Sequence, residues 1–200
     1  MRYIDFHCDT AGRMLYENQG LEKNEFNVDI EKLKKGGALA QVFALFIDAG
    51  EVKDVHLEFE IMYRNLMKEL EKNKQHIEVV RNINELNIVE QKGKIGAFLS
   101  IEEGEVLNGK IERVKEVYDK GIRIITLTWN YKNKIGYPNY NYIYKDKGLT
   151  DLGIEIVEEM ENVGIIPDVS HLSDAGFYDL IKICKKPFIA SHSNSRSVTN

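Results

Sequence analysis

The feature that most constrains this chain is where its polar residues fall within an alternation of short β-rich runs and amphipathic stretches. Strands are expected at Tyr3–Asp9, Gln41–Asp48, Ile95–Glu102, Arg123–Trp129, Ile165–His171 and Pro187–Ser193, with a weaker run at Ile77–Val80. Helices are expected at Val55–Asn73, Asn84–Gln91, Ile111–Lys120, Thr150–Val163 and Asp174–Cys184. Ile61, Met62, Leu66, Met67 and Leu70 recur at helical spacing and are expected to pack into the core. Gly121 and Gly164 stand where helices should stop. Such alternation dictates a parallel sheet, either open and doubly wound or closed into a barrel. Neither GxGxxG nor GxxxxGK[ST] occurs, so the phosphate-binding signature of the open form is missing. The expected strands end in His7-Cys8-Asp9, Glu102-Glu103, Trp129-Asn130, Ser170-His171 and Ser191-His192-Ser193. Chemistry-bearing residues at the C-terminal ends of strands favour a TIM-barrel-like α/β fold.

Composition narrows the function classes. With 43% hydrophobic residues over 200 positions, one domain spanning residues 1–200 is expected. No apolar run is long enough to span a membrane. A net charge of −5 offers no basic stripe to nucleic acid. The N-terminus lacks a signal-peptide layout, and Cys8 and Cys184 form no CxxC pair, so reduced thiols in a cytoplasmic protein are expected.

His7 and Asp9 are two apart on one expected strand, so both face the same side and Cys8 faces the other. An imidazole beside a carboxylate suits zinc; the bland reading is a histidine hydrogen-bonded to its neighbour. Glu102 closes an apolar run and must find cations or donors if buried. With two oxygens it could hold one metal on each, or it could form an ordinary salt bridge. Glu103 and Glu105 read as solvated loop carboxylates. His171 and His192 end matching strands, whereas His56 and His76 sit among charged residues and read as surface positions.

At these residues the chain resembles the membrane (renal) dipeptidase family of zinc metallopeptidases. Asp5-Phe6-His7-Cys8-Asp9 looks like its opening metal motif, and Ser100-Ile101-Glu102-Glu103-Gly104 like its bridging-glutamate segment. Gly148–Gly153, Asp168–Ser173 and Pro187–Val198 are similar to later segments, in order along the chain. The resemblance implies a barrel metallo-dependent hydrolase with about six of eight strand–helix units present, C-terminally incomplete. It implies two Zn²⁺ as cofactors, with His7 and Asp9 on one, His171 and His192 on the other, and Glu102 bridging them as a catalytic group. It implies hydrolysis of dipeptides by a shared hydroxide. The expected partner is a dipeptide substrate, with no nucleic acid and no membrane, and a homodimer allowed.

Three departures accompany the resemblance. Trp129 stands where many relatives carry histidine; it is expected to bind substrate or, equally, to pack against the barrel mouth, and an indole can donate a hydrogen bond but not take a proton. Glu105 stands where histidine is frequent. The family's last two strand–helix units, with a substrate-gripping arginine and a proton-shuttling aspartate, are not in these 200 residues, so the piece is expected to be inactive or poorly active by itself. The tyrosine-rich stretch Tyr131–Lys147 reads as a loop over the barrel rim or as part of the substrate mouth. Two other readings stay open: another barrel metallohydrolase, and a metal-binding remnant without catalysis.

Overall fold

The computed structural model describes residues 2–195, 197 and 198; Arg196, in the last resembling segment, lies outside them. Six strands form one parallel sheet: β1 (Tyr3–Asp5), β2 (Ala38–Phe46), β3 (Ile77–Val79), β4 (Ile95–Glu102), β5 (Ile122–Thr126) and β6 (Ile166–Asp168). The order is β1-β2-β4-β5-β6, and β3 pairs with the start of β4, ahead of the stretch that pairs with β5. The strands curl into a half-barrel of TIM-barrel type. β2 and β4 are buried along nearly their whole length, as parallel strands covered on both faces must be.

Among the described residues seven helices cover the sheet: α1 (Thr10–Glu17), α2 (Ile30–Gly36), α3 (Val55–Lys72), α4 (Ile83–Gln91), α5 (Glu112–Asp119), α6 (Asp151–Val163) and α7 (Asp174–Ile183). Five of them begin on a side chain that accepts from a first-turn amide: Asp29, Asp54, Asn82, Thr150 and Ser173. Each such cap contributes about 1 kcal/mol. α3 buries Phe59, Met62, Leu66 and Leu70 at helical spacing. Ile61 and Met67, expected in the same stripe, fall off it: Ile61 is exposed and Met67 only half-buried. Gly121 and Gly164 take φ of 98° and 96° at helix ends, conformations costly for any residue with a Cβ. Among the described residues, no helix is long and apolar enough to cross a membrane.

Four expected strands are shorter than their hydrophobic runs, among them β5, which stops at Thr126 rather than Trp129, and β6, which stops at Asp168 rather than His171. β1 stops at Asp5, because the chain turns to start α1 at Thr10. Pro187–Ser193 forms a single parallel bridge, Ile189 to Asp168. There Val169 N–H donates to Ile189 O at 2.8 Å and Ile189 N–H to Pro167 O at 3.0 Å. α1 and α2 were not expected; they are short, contain Gly12 and Gly36, and present too few apolar residues for a clear period.

Candidate metal centre

One row of paired residues crosses the sheet at its C-terminal end: Phe46 to Glu102, Glu102 to Thr126, Thr126 to Asp168, and Asp168 to Ile189. The segment after β1 joins two residues before Phe46, where Ala44 N–H donates to Cys8 O at 3.0 Å. This register sets His7, Asp9, Glu102, His171 and His192 around one point. Glu102 is 3% exposed and lies at its centre.

The two oxygens of Glu102 face different groups. Oε2 lies 3.2 Å from His7 Nε2, which is in turn 3.1 Å from Asp9 Oδ1. Oε1 lies 3.2 Å from His171 Nε2 and 3.5 Å from His192 Nε2, and those two nitrogens are 2.9 Å apart. Ligands held tetrahedrally at about 2.1 Å from a zinc ion would be spaced about 3.4 Å from one another. The triangle around Oε1 has nearly these sides. Three ligand atoms this close, at spacings near those of a tetrahedral zinc site, fit a common cation. His7, Glu102 and His192 also place their ligand atoms within 4.8 Å of one another.

Local backbone choices serve this arrangement. Asp9 occupies the N-cap of α1 but caps nothing; its carboxylate turns to His7 instead. A helix start thereby forgoes about 1 kcal/mol. His171 sits at φ 66°, a left-handed conformation unusual for a residue with a side chain. Its carbonyl accepts from Asn139 N–H at 2.8 Å and from Thr128 Oγ1 at 3.3 Å, which fixes the turn. His192 is oriented by Ser191, whose hydroxyl donates to Asp168 Oδ2 at 2.5 Å and contacts His192 Nδ1 at 2.8 Å. Since the hydroxyl proton goes to the carboxylate, Ser191 Oγ accepts from Nδ1–H, leaving the Nε2 lone pair free. Asp168 is fully engaged, taking Thr126 Oγ1 and the Ser170 and Ser191 amides as well.

Electrostatics follow from this crowding. Burial opposes charge on the His7 imidazole, but hydrogen bonds to Asp9 and Glu102 outweigh it and raise its pKa to about 10. Burial likewise opposes charge on Glu102, yet its contacts with His171, His192 and His7 hold it far below the usual carboxylate range. Cys8, on the opposite side of the chain, is buried and its thiol is pushed up to about 12 by that burial.

The five side chains open on a cavity of about 290 Å³ whose remaining walls are Phe46 and Trp129. Their rings meet edge to face at 4.8 Å, and Trp129 is 6.4 Å from the His171 ring. Phe46 was not singled out from the sequence, although the register pairs it with Glu102. Glu103, expected in solvent, is instead 0% exposed. It accepts from Trp129 N–H, Glu105 N–H and Asn133 Nδ2, and its burial raises its pKa. Glu105 pairs with Lys134 at 2.6 Å outside the cavity. His56 is not a free surface group either, since Nδ1 lies 3.1 Å from Val106 O. The tyrosine-rich stretch contains only a short turn at Tyr140–Tyr142. It is tied to the segment after β6 by Ser173 N–H to Tyr137 O and Ala175 N–H to Lys145 O.

Comparison with known proteins places this geometry. The family described as membrane dipeptidase (peptidase family M19) matches residues 1–200. An uncharacterized dipeptidase of Schizosaccharomyces pombe is 27% identical over 190 residues, covering 86% of this chain and 45% of its own length. Dipeptidase 3 of Mus musculus is 25% identical over 206 residues, covering 98% and 41%. The chain thus spans less than half the length of these curated relatives. A Rhodobacter sphaeroides metallo peptidase, solved with a phosphinate mimic of the dipeptide L-Ala-D-Ala, superposes with a TM-score of 0.88 at 20% identity. The match covers all of this chain and 67% of that one. The dipeptidase AC structure, a family M19 metallo peptidase, also gives 0.88, at 21% identity over all of this chain and 65% of its own. The family match over residues 1–200 makes this chain a member of the membrane dipeptidase family, peptidase family M19.

Proposed function

We propose that the chain carries the metal centre of a zinc-dependent dipeptidase that hydrolyses the peptide bond of dipeptides. The observation that carries this reading is the division of Glu102: Oε2 faces His7, and Oε1 faces His171 and His192. His7 and Asp9 would hold one Zn²⁺, His171 and His192 the second, and Glu102 both. Bound zinc supplies Lewis acidity, activating water for attack and polarising a carbonyl oxygen.

The chain's own residues prepare the site. Glu102 brings a negative charge to a nearly dry position, where it would be costly without cations or donors, and would hold both metal ions. Asp168 and Ser191 keep His192 Nε2 unprotonated and aimed inward. Phe46 and Trp129 form an apolar wall that would exclude water from one side of a bound dipeptide. Trp129 would contact the substrate as a surface or hydrogen-bond donor, never as a base.

Among the described residues lining the cavity there is no lysine or arginine, and no carboxyl group beyond the ligands Asp9 and Glu102. A positioned acid for the leaving amine typically contributes about 10²–10⁴-fold. The 200-residue chain should therefore bind zinc yet turn over dipeptides near background. Calorimetric zinc titration of the chelator-treated chain, together with hydrolysis of an L-Ala dipeptide, tests both halves. Two zinc ions per chain, lost on replacing Glu102 by alanine, is the expected result. No zinc binding would overturn the reading, and full turnover by the 200-residue chain would overturn the need for further groups.

A further inference from the structure

Glu103 has no evident task in holding a metal, yet it is among the most deeply buried charged residues described. It takes φ 99° and ψ 97°, outside the regions that a residue with a Cβ ordinarily occupies. Strain of this kind costs about 1–3 kcal/mol and persists only where the surroundings enforce it. Two of the three enforcing contacts lead to the turn after β5, and the third caps the short turn that follows Glu103 itself. Oε2 accepts the Trp129 backbone N–H at 3.1 Å. Oε1 accepts Asn133 Nδ2 at 2.5 Å and Glu105 N–H at 2.9 Å.

Asn133 carries the connection onward. Its Nδ2 also donates to Leu127 O at 2.8 Å, and its Oδ1 accepts the amides of Ile135 at 2.8 Å and Gly136 at 3.0 Å. The carboxylate of Glu103 thus sits at the hub of the turn that leaves β5. It links the end of the strand bearing Glu102 to the residue that walls the cavity. Without that hub, the Trp129 amide would lose its carboxylate acceptor and Asn133 Nδ2 would keep Leu127 O alone, in a half-buried turn.

We propose that Glu103 is a positioning residue for the substrate wall: its strained backbone and buried carboxylate hold Trp129 against Phe46 at the cavity mouth. This rests on the reading of the cavity as a dipeptide site for its consequence, but not for its geometry. The expected consequence is that Glu103 governs how well substrate is held and leaves metal binding alone, because its carboxylate points away from Glu102's partners into the β5 turn.

The test uses the chain's single tryptophan, so that all tryptophan fluorescence reports Trp129. Emission and acrylamide quenching would be recorded on wild type, Glu103→Gln and Glu103→Ala, with zinc affinity measured on the same samples. The proposal expects emission to shift to longer wavelength and quenching to rise in the order wild type, Gln, Ala, with zinc affinity unchanged. Glutamine keeps one acceptor oxygen for Asn133 but sets an N–H against the Trp129 N–H, so it should restore the wall only in part. Wild-type emission and quenching in a folded Glu103→Ala chain would overturn the proposal. So would a loss of zinc affinity accompanying the shift, since that would trace the effect to Glu102. Should the alanine variant fail to fold, wild-type fluorescence in the isosteric Glu103→Gln chain would overturn it equally. Absence of zinc binding in wild type would sink the dipeptidase reading alone, leaving the Trp129 response to stand or fall separately.

Discussion

Replacing Ser191 by alanine removes one oxygen and separates two effects that the metal centre combines. Ser191 Oγ lies 2.5 Å from Asp168 Oδ2 and 2.8 Å from His192 Nδ1. Hydrogen bonds to charged groups contribute about 1.5–3 kcal/mol. Asp168 keeps Thr126 Oγ1 at 2.8 Å and two amides at 3.0 Å, so the loss should lie at the low end of that range. For a chain of this length, about 1.5 kcal/mol lowers Tm by about 3–6 °C. The second effect concerns zinc. With no acceptor at Nδ1, His192 is free to rotate or to place its proton on Nε2, and loss of such an outer partner costs about 10–100-fold in metal affinity. The assay is calorimetric zinc titration of both chelator-treated proteins, beside thermal unfolding followed by circular dichroism. Threonine at 191 should recover most of the affinity, because it keeps the hydroxyl. A Ser191→Ala chain with lowered Tm but wild-type zinc affinity would refute the argument that Asp168 and Ser191 fix the His192 tautomer.

Three further outcomes are expected. Gly153→Ala should destabilise the fold by about 1–3 kcal/mol despite alanine's better helix propensity, because the added Cβ would lie 2.0 Å from Ile135 O, a backbone atom that cannot swing aside; an increased urea midpoint would contradict this. Phe59→Ala, at a fully buried position on α3, should cost about 3–5 kcal/mol in the same measurement, and a cost below that of a surface substitution would mean that α3 does not pack as described. Asp29 is held below its ordinary pKa: burial opposes its charge, but Lys32 and the amides of Lys32 and Asn24 outweigh this. Its stabilisation is therefore complete above the unfolded value near pH 3.9 and is lost as pH falls through the lower folded value. Asp29→Asn should be less stable than wild type at pH 7, with the gap closing in acid; a gap that persists undiminished through the acid limb would disprove it.

What could be read from the sequence depended on whether local pattern or long-range register decided the outcome. The helices α3 to α7 were legible because they are amphipathic stretches between strand-like runs; side chains of Asp54, Asn82, Thr150 and Ser173 cap four of them, and α5 has Ile111 at its N-cap with no side-chain cap. The buried runs of β2 and β4 were likewise legible from local pattern. The extent of β1 was not, since Phe6 and Cys8 look strand-like and only the turn into α1 ends the pairing. Pro187–Ser193 has strand composition but finds one partner residue. At the site, His7, Asp9, Glu102, His171 and His192 stood out because metal-ligating residue types recur at strand ends. Glu103 was misplaced in solvent because charge argues for exposure, and nothing local announces three donors converging from Glu105, Trp129 and Asn133. Phe46 escaped notice, and Ser191, though quoted beside His192, was given no role, because their importance lies in cross-strand neighbours that sequence order does not reveal.

Barrel proteins are often re-specialised by exchanging the loops that follow their strands, since scaffold and loop usually vary independently. The tyrosine-rich loop of this chain is not independent in that sense. It donates Asn139 N–H to the carbonyl of His171, receives Ser173 N–H at Tyr137 and Ala175 N–H at Lys145, and pairs Pro138 with Leu172. The left-handed turn that aims His171 is thus assembled partly from loop backbone. An insertion or deletion between Tyr137 and Lys145 would reach the imidazole as well as the mouth. Divergence of specificity here would have to proceed by side-chain replacement on a loop of fixed length, with variation in length confined to parts of the rim that carry no ligand.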